Sequence, residues 1–588
     1  MKNKYFFFLA FSLFFPLFAQ EALKSTEEEY YDFLSLQGIV ERPTLGFRTL
    51  SDSEWKFIEK KEPVFDNDGN IILNEDCNPL IKKRIQEHPW QKNNLGTKQT
   101  LWQGQAGKNW FTKGFDHSIK LKIYGPEWFN SYNTAAPYGQ NDGALWQGKG
   151  YNTSLTGGAR LEAYGFEVTV KPQMSFSQNK KFNYIQPNYS GEEYSNKANI
   201  YGYYGVTCID APQRFGNEVF YNFDWGDTEI RYTWKNFTLG LGNQQIWLGP
   251  AQLNPIIHSN NAASYPKFDI GIRKTKITMP HFKWDLGYLE TRCWWGYLTE
   301  SNFFDTDDSN NHNLISGIAI YYQPPILKDF TIGLNRTMLS KWNDKNAYSF
   351  FRIYSFGNSI QAGRDESDQR ASLVFDYILK KVGFETYLEW GRNDYSPSND
   401  YHIRYPFHTQ GWTFGIRQNF NLPLGLKCMI QLELTNLECS ADYDRLIGWY
   451  TTFYSHTVIT QGYTNKGQWL GAGIGTGGNS QYLGFTLYHN NGALTLFGQR
   501  RNPDLDYTMY IDSKKFEYGS GTAETNIKAI LDFGIKSTYY IRGKTCINTG
   551  IIFEDIHNPL NRSQNNGNSF KSEIMYNFSL IFGIKYNF

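Results

Sequence analysis

The chain closes on Ile574-Met575-Tyr576-Asn577-Phe578-Ser579-Leu580-Ile581-Phe582-Gly583-Ile584-Lys585-Tyr586-Asn587-Phe588. Ile574, Tyr576, Phe578, Leu580, Phe582, Ile584, Tyr586 and Phe588 fall on one face of an extended chain. Met575, Asn577, Ser579, Ile581, Gly583, Lys585 and Asn587, mostly polar or small, fall on the other. A strand of a water-soluble sandwich alternates over about 4–8 residues, whereas a tilted strand that crosses a bilayer needs about 9–11. The alternation over 574–588 is long enough for the second case. A terminal Phe with aromatics at every second position before it is also the signal that barrel-insertion machinery reads, so Phe588 is expected to engage that machinery.

The same period recurs upstream. Phe166, Val168 and Val170 alternate with Glu167, Thr169 and Lys171, and Phe384, Leu388 and Trp390 oppose Glu385 and Glu389. Leu483, Phe485 and Leu487 lead into Asn490-Asn491-Gly492, a tight-hairpin signal. Charged residues inside such strands are costly against lipid and cheap against a wet lumen. Backbone groups in lipid must all be paired, so the sheet has to close. The mean hydropathy of −0.54 would suit a soluble chain, yet 17% of residues are aromatic. In a membrane barrel the two faces cancel in the average, and Tyr and Trp gather where the wall meets water. The expected fold is therefore all-β, a transmembrane antiparallel barrel. About 475 residues at roughly 25 per strand and loop give about 16–20 strands, an even number if both ends are periplasmic.

Residues before 113 read differently. Met1-Lys2-Asn3-Lys4, the apolar run Tyr5–Phe18 and the small Ala19 describe a signal peptide over 1–19. Thr26-x-x-Glu29 is a capping box followed by Tyr30, Phe33, Leu34 and Leu36, with Gly38 as a C-cap. Ser51-x-x-Glu54 opens a second expected helix with Trp55, Phe57 and Ile58, stopped by Pro63. Asn78-Pro79 opens a third, Leu80–Glu87, stopped by Pro89. The turn signal Asp66-Asn67-Asp68-Gly69 lies between them. The division expected is a signal peptide (1–19), a mainly helical periplasmic region (20–112) and a barrel (113–588), with the first outer loop near 126–152.

The net charge of +1 gives no basic excess for nucleic acid. The six Cys show no C-x-x-C pair, and their pairing in an oxidising periplasm is left open. No G-x-S-x-G elbow and no H-E-x-x-H helix occurs. Asp305–Asn310 departs from a calcium loop, since position six is not Gly and Ser316 stands at position twelve. Enzyme signals are thus scarce, and no catalytic residue, cofactor or metal is singled out.

Asn141-Asp142-Gly143-Ala144-Leu145-Trp146-Gln147-Gly148-Lys149-Gly150 resembles the Wzi-type capsule assembly family of Gram-negative outer membranes. Further segments resemble the same family in the same order. They are Arg214-Phe215-Gly216, Gln245–Pro250 with Ser259–Ala262, Asp368–Ser372 with Tyr387–Arg392, and Gly462–Gln468 with Gly471–Gln481. Leu248 stands where the family pattern leads one to expect a second Trp. The resemblance runs from about residue 113 to the end. It implies about 18 strands, a plugged lumen and a periplasmic helical part. It also implies a lectin-like role in holding capsular or other surface polysaccharide on the cell, neither that of an enzyme nor that of an open channel. Outer-membrane lipid and lipopolysaccharide are the further expected partners.

Glycan binding uses aromatic faces for the apolar side of a sugar and planar polar groups for its hydroxyls. The candidates are Asn141, Asp142, Trp146, Gln147, Lys149, Trp247, Asn260 and Asn261. The structural alternative is that Trp146 packs against the wall and that the Asn side chains close turns. Lys149, Arg370 and Arg392 could meet an acidic polymer or pair with Glu385 and Glu389. A porin or substrate-specific channel is the competing function, because a barrel of this width can leave an aqueous lumen. A barrel enzyme acting on lipid stands further off.

Overall fold

The computed structural model describes residues 26–48, 56–57, 64–65, 71–72, 102–105, 107, 118–185, 200–203, 208–342, 367–393, 401–423, 426–440, 453–506, 526–561, 563–565 and 570–587. The signal peptide, the Asp66–Gly69 turn, the expected helix Leu80–Glu87, Cys77 and Phe588 lie outside the described residues.

Eighteen antiparallel strands close into one barrel. In chain order they are β1 (Ser118–Asn133), β2 (Gly150–Ala163), β3 (Phe166–Val170 and Gln173–Ser177), β4 (Phe220–Asp224 and Glu229–Trp234), β5 (Phe237–Gly242) and β6 (Lys267–Thr278). Then come β7 (Asp285–Thr299), β8 (His312–Gln323), β9 (Phe330–Lys341), β10 (Ser367–Leu379), β11 (Phe384–Asn393) and β12 (Gln410–Asn421). The wall ends with β13 (Lys427–Asn436), β14 (Asn479–His489), β15 (Gly492–Asn502), β16 (Ala529–Ile541), β17 (Thr545–His557) and β18 (Ile574–Asn587). Closure is made by β18 on β1, with Ser579 opposite Asn133 and Lys585 opposite Glu127. Trp102–Gln105 adds a short strand beside the start of β1.

The period-two reading holds along the wall. Ile574, Tyr576, Phe578, Leu580 and Phe582 face outward, while Asn577 and Ser579 are wholly buried inside. Glu167 and Thr169 are buried, and Phe166 is exposed to the outside. Glu385 and Glu389 are wholly buried in the lumen. The Asn490-Asn491 hairpin joins β14 to β15 with His489 opposite Gly492. Among the described residues no helix is long and apolar enough to cross a membrane.

The two ends of the barrel differ. Short turns such as 164–165, 235–236, 490–491 and 542–544 mark one end, and long connections such as 134–149, 178–219, 243–266 and 437–478 mark the other. In outer-membrane barrels the short turns are periplasmic and the long loops face outward. The first long connection is 134–149, because β1 and β2 occupy 126–133 and 150–152 of the loop expected from the sequence.

The lumen is filled. Residues 243–266 leave the wall after β5 and fold inward, where Ile246, Leu248, Ile256 and Ile257 join Trp294, Tyr321, Tyr454, Tyr463 and Leu470 in one apolar core. Wall carboxylates hold this plug by its backbone. Glu433 accepts the N–H groups of Gln252 (2.7 Å), Leu253 (3.0 Å) and Asn254 (2.8 Å). Glu389 accepts that of Ile256 at 2.9 Å, and Glu290 those of Leu45 at 2.6 Å and Gly46 at 3.0 Å. A loop buried in a lumen must find partners for its N–H groups, and inward Glu side chains supply them.

The start of the chain shares this space. Helix α1 (Thr26–Leu36) is the first of the three expected helices, with Gly38 left-handed (φ 67°) at its C-terminal end. It lies in the lumen near the short-turn end. Tyr30 and Phe33 pack on Tyr488, Asn419 donates to the carbonyl of Phe33 at 3.0 Å, and Lys427 donates to the Tyr30 hydroxyl. Phe47–Arg48 then pairs with Trp247–Leu248 of the plug. The expected second helix is corrected, since Lys56–Phe57 is a strand on Val40–Glu41. Val64–Phe65 and Ile71–Ile72 also pair, flanking the expected turn. The described part of 20–112 is thus one helix and short strands, with residues 26–48 inside the barrel.

Candidate functional site

The connection 134–149 bends inward over the lumen at the long-loop end. Asn133, wholly buried at the end of β1, clamps it by donating from Nδ2 to the carbonyls of Tyr138 (3.2 Å), Gln147 (3.0 Å) and Gly148 (3.1 Å). Asn141 (φ 58°) and Gly143 (φ 62°) make the reversal between, and only the second is a residue to which left-handed backbone costs nothing. Asn141 is held there on both sides. Its N–H bonds to Asn261 Oδ1 at 3.1 Å, and its Nδ2 donates to the carbonyl of Leu253 at 3.0 Å.

Above the plug this loop walls a cavity of about 780 Å³. Asp142, Trp146, Gln147, Lys149 and Asn261, five of the sequence candidates, line it. Gln147 is fixed at both ends of its amide, donating to Asp142 Oδ2 at 2.7 Å and accepting from Ser131 Oγ at 2.6 Å. Burial pushes the Asp142 carboxyl up to about 6, against the bond from Gln147. Trp146 rests on Phe215 with ring centroids 4.9 Å apart, and its indole N–H finds no partner in the described structure. Asn261 donates to the carbonyl of Trp469 at 3.2 Å.

The remaining candidates have other places. Asn141 holds the loop as described, and Asn260 accepts the Gly143 N–H at 2.9 Å on its carbonyl. Trp247 is wholly buried in the plug, donates to the carbonyl of Ala251 at 2.9 Å and lies under Arg48. Neither Asn260 nor Trp247 lines the cavity. Arg370 pairs with Asp368 at 2.7 Å and sits over the Tyr463 ring, and Arg392 donates to the carbonyl of His408 at 3.1 Å. Glu385 is taken by Arg42 and Arg417, and Glu389 accepts from Ile256 and Ser372, so among the described residues neither pairs with Lys149, Arg370 or Arg392. Among the described residues no disulfide joins two cysteines.

Sequence reasoning missed much of the lining. Tyr138, Phe182, Tyr184, Tyr203 and Trp469 supply aromatic faces. They come from three separate loops, with Tyr203 edge-on to Trp469 at 5.8 Å. Only Trp469, next to the Gly462–Gln468 segment, carried a signal in the sequence.

The model of the family described as "Capsule assembly protein Wzi" matches residues 131–569. The chain belongs to that family. It is accordingly a bacterial outer-membrane β-barrel of the capsule assembly class. Among solved structures it is similar to Wzi of Escherichia coli, described as an outer-membrane protein involved in group 1 capsule assembly and a carbohydrate-binding barrel. That likeness has a TM-score of 0.54 at 13% identity and covers 98% of this chain and 100% of the other. Pseudomonas aeruginosa OccD3 (OpdP) gives a TM-score of 0.37 at 10% identity, covering 79% of this chain and 91% of that one. No curated protein sequence matches the chain. As a family member, the chain has its motif segments 141–150 and 462–481 meeting in space, since Asn261 ties the first to the second through Asn141 and Trp469.

Proposed function

We propose that the chain binds surface polysaccharide in the cavity at its outward end and helps attach or assemble the capsule there. The observation that carries this is the lining itself. Aromatic faces and fixed planar groups, the Asp142–Gln147 pair among them, surround one open cavity above a filled lumen. Sugar rings need this combination, apolar faces for their C–H sides and preset hydrogen-bonding groups for their hydroxyls. The carbohydrate binding ascribed to Escherichia coli Wzi supports the same reading. The role is non-enzymatic, holding polymer without changing it. The outward-facing aromatic belt meets outer-membrane lipid and lipopolysaccharide, and the C-terminal strand serves insertion machinery. Deletion of the gene should release polymer into the medium while synthesis continues, and a mutant with normal cell-attached capsule would sink the reading.

Trp146→Ala should weaken polymer binding about tenfold, roughly the worth of one aromatic face. Trp146→Phe should restore much of it. Purified protein in detergent, titrated with the polymer of the source cells, gives the comparison, with heat-modifiable gel mobility as the check on folding. Unchanged affinity in the Ala variant would assign Trp146 to packing on Phe215.

A further inference from the structure

At the rim beyond β7, three outer connections meet beside the cavity. Asp210 comes from 178–219, Glu300 and Asp305 from 300–311, and Thr460 and Lys466 from 437–478. Asp210 accepts the N–H and the hydroxyl of Ser301 at 2.7 and 2.6 Å, and its own N–H donates to the carbonyl of Gln461 at 2.9 Å. Asn310 donates from Nδ2 to Asp305 Oδ2 at 3.1 Å and to the Thr460 hydroxyl at 2.8 Å. The Lys466 N–H donates to the carbonyl of Thr299 at 2.7 Å. Residues that line the cavity follow directly on these contacts, Ala211 and Pro212 after Asp210, and Gly467, Gln468 and Trp469 after Lys466.

The oxygens gathered at this junction lack a counter-charge. Glu300 is 8% exposed, its carboxyl lies against that of Asp305, and its Oε2 finds no donor among the described residues. Asp210, Asp305 and Asp307 all repel its charge. The Asn310 Oδ1 is likewise buried without a donor among the described residues. Among these residues no Lys or Arg pairs with Asp210, Glu300 or Asp305, and the nearby Lys466 reaches Asp224 instead, at 3.6 Å. Buried charges are paired or coordinate a metal. A proton on Glu300 would serve its contact with Asp305 and leave Asn310 Oδ1 unserved, whereas a cation takes several oxygens at once.

We propose that Glu300, Asp305 and the Asn310 side-chain oxygen bind a calcium ion that ties the three connections together beside the cavity. Among the described residues no three Asp, Glu, His or Cys side chains by themselves converge to hold a metal, so the donors are two carboxylates and one amide. Calcium accepts that mixture. It takes about 6–8 oxygens from carboxylates, amide carbonyls and water in flexible geometry, whereas magnesium demands a strict octahedron. Asp210 adds negative charge from the neighbouring connection. Asp305–Asn310 lacks the order of a contiguous calcium loop, and donors drawn from a folded rim do not need that order. A site of this kind on a cell surface should hold calcium with a Kd of about 0.1–1 mM, as extracellular modules do.

The test uses the full-length barrel in detergent, stripped of divalent ions with EDTA and dialysed. Calorimetric titration with calcium chloride is run on the wild type, Glu300→Gln and Asp305→Asn, with heat-modifiable gel mobility showing that each is a folded barrel. Wild type should bind calcium in the range given, and each variant should bind it about tenfold more weakly or worse, as loss of one charged ligand predicts. Amide exchange across residues 300–311 and 453–469 is the second readout. At a concentration about ten times the wild-type Kd, calcium should slow exchange there about tenfold in the wild type by suppressing local opening, and about twofold at most in either variant. No calcium binding by the folded wild type up to about 10 mM, tenfold above the weak end of the range, overturns the proposal and assigns the Glu300–Asp305 contact to a shared proton. Undiminished binding in either variant places the ion elsewhere and overturns it too. Polymer binding is measured separately, so neither result bears on the glycan reading.

Discussion

Glu433→Ala is expected to open the barrel. Glu433 is buried on the inner face of β13 and accepts four donors, the N–H groups of Gln252, Leu253 and Asn254 and the Tyr387 hydroxyl at 2.7 Å. Each buried donor left without an acceptor costs about 1–3 kcal/mol. Three of these donors are backbone groups of the plug, so the variant favours a plug that lifts toward water and regains its hydrogen bonds there. The wall has no such dependence, because its strands bond to one another in unbroken register from β7 to β18. A barrel of 16–18 strands that loses its filling leaves an aqueous channel. In planar bilayers the wild type should stay silent and Glu433→Ala should show steady open steps, with the 243–266 segment newly cut by protease. Glu433→Gln keeps a carbonyl oxygen and should fall between. A silent, protease-resistant Glu433→Ala would show that the plug is held by its apolar core alone.

That dependence marks the boundary of what the sequence could reveal. The wall was legible because a strand between lipid and lumen must alternate, and Glu167, Glu385 and Glu389 fell on the inward face as the alternation requires. The partners of those inward charges were not legible. Glu389 meets the N–H of Ile256, far off in the chain, and Glu385 meets Arg42 from the opposite end. The same limit applies to Trp247, whose aromatic character suited a sugar face but whose neighbours bury it. It applies again to Lys56–Phe57, where a capping box upstream spoke for helix and pairing with Val40–Glu41 decided for strand. In the cavity, the loop 134–149 was readable as a glycan candidate because its motif residues are contiguous. Lys181, Tyr203 and Trp469 reach it only through the folding of separate connections.

The second large effect is expected at the other end, from Arg417→Met. Arg417 and Arg42 face Asp32, Asp376 and Glu385 in one buried cluster. Arg42 lies 2.8 Å from Asp32, 3.1 Å from Asp376 and 2.6 Å from Glu385, and Arg417 lies 2.5 Å from Asp32 and bonds Glu385 as well. Removing Arg417 leaves those carboxylates to a single guanidinium, and breaking a buried pair in this way costs about 3–5 kcal/mol. Asp32 is on α1, so the strain is relieved by releasing the helix, against the packing of Tyr30, Phe33 and Leu34. Burial alone would raise the Asp32 carboxyl, but Arg417 and Arg42 outweigh it and hold the group below the ordinary carboxylate range. A depressed folded value means that its contribution is complete above the ordinary aspartate value and is lost only as pH falls through the depressed one. Hydrogen exchange across residues 26–36, corrected for intrinsic rates, should therefore stay protected in the wild type from neutral pH down through mild acid. In Arg417→Met that protection should already be lost at neutral pH while the wall stays protected. Equal protection of α1 in both proteins would mean that its apolar face, rather than the charge cluster, keeps it in the lumen.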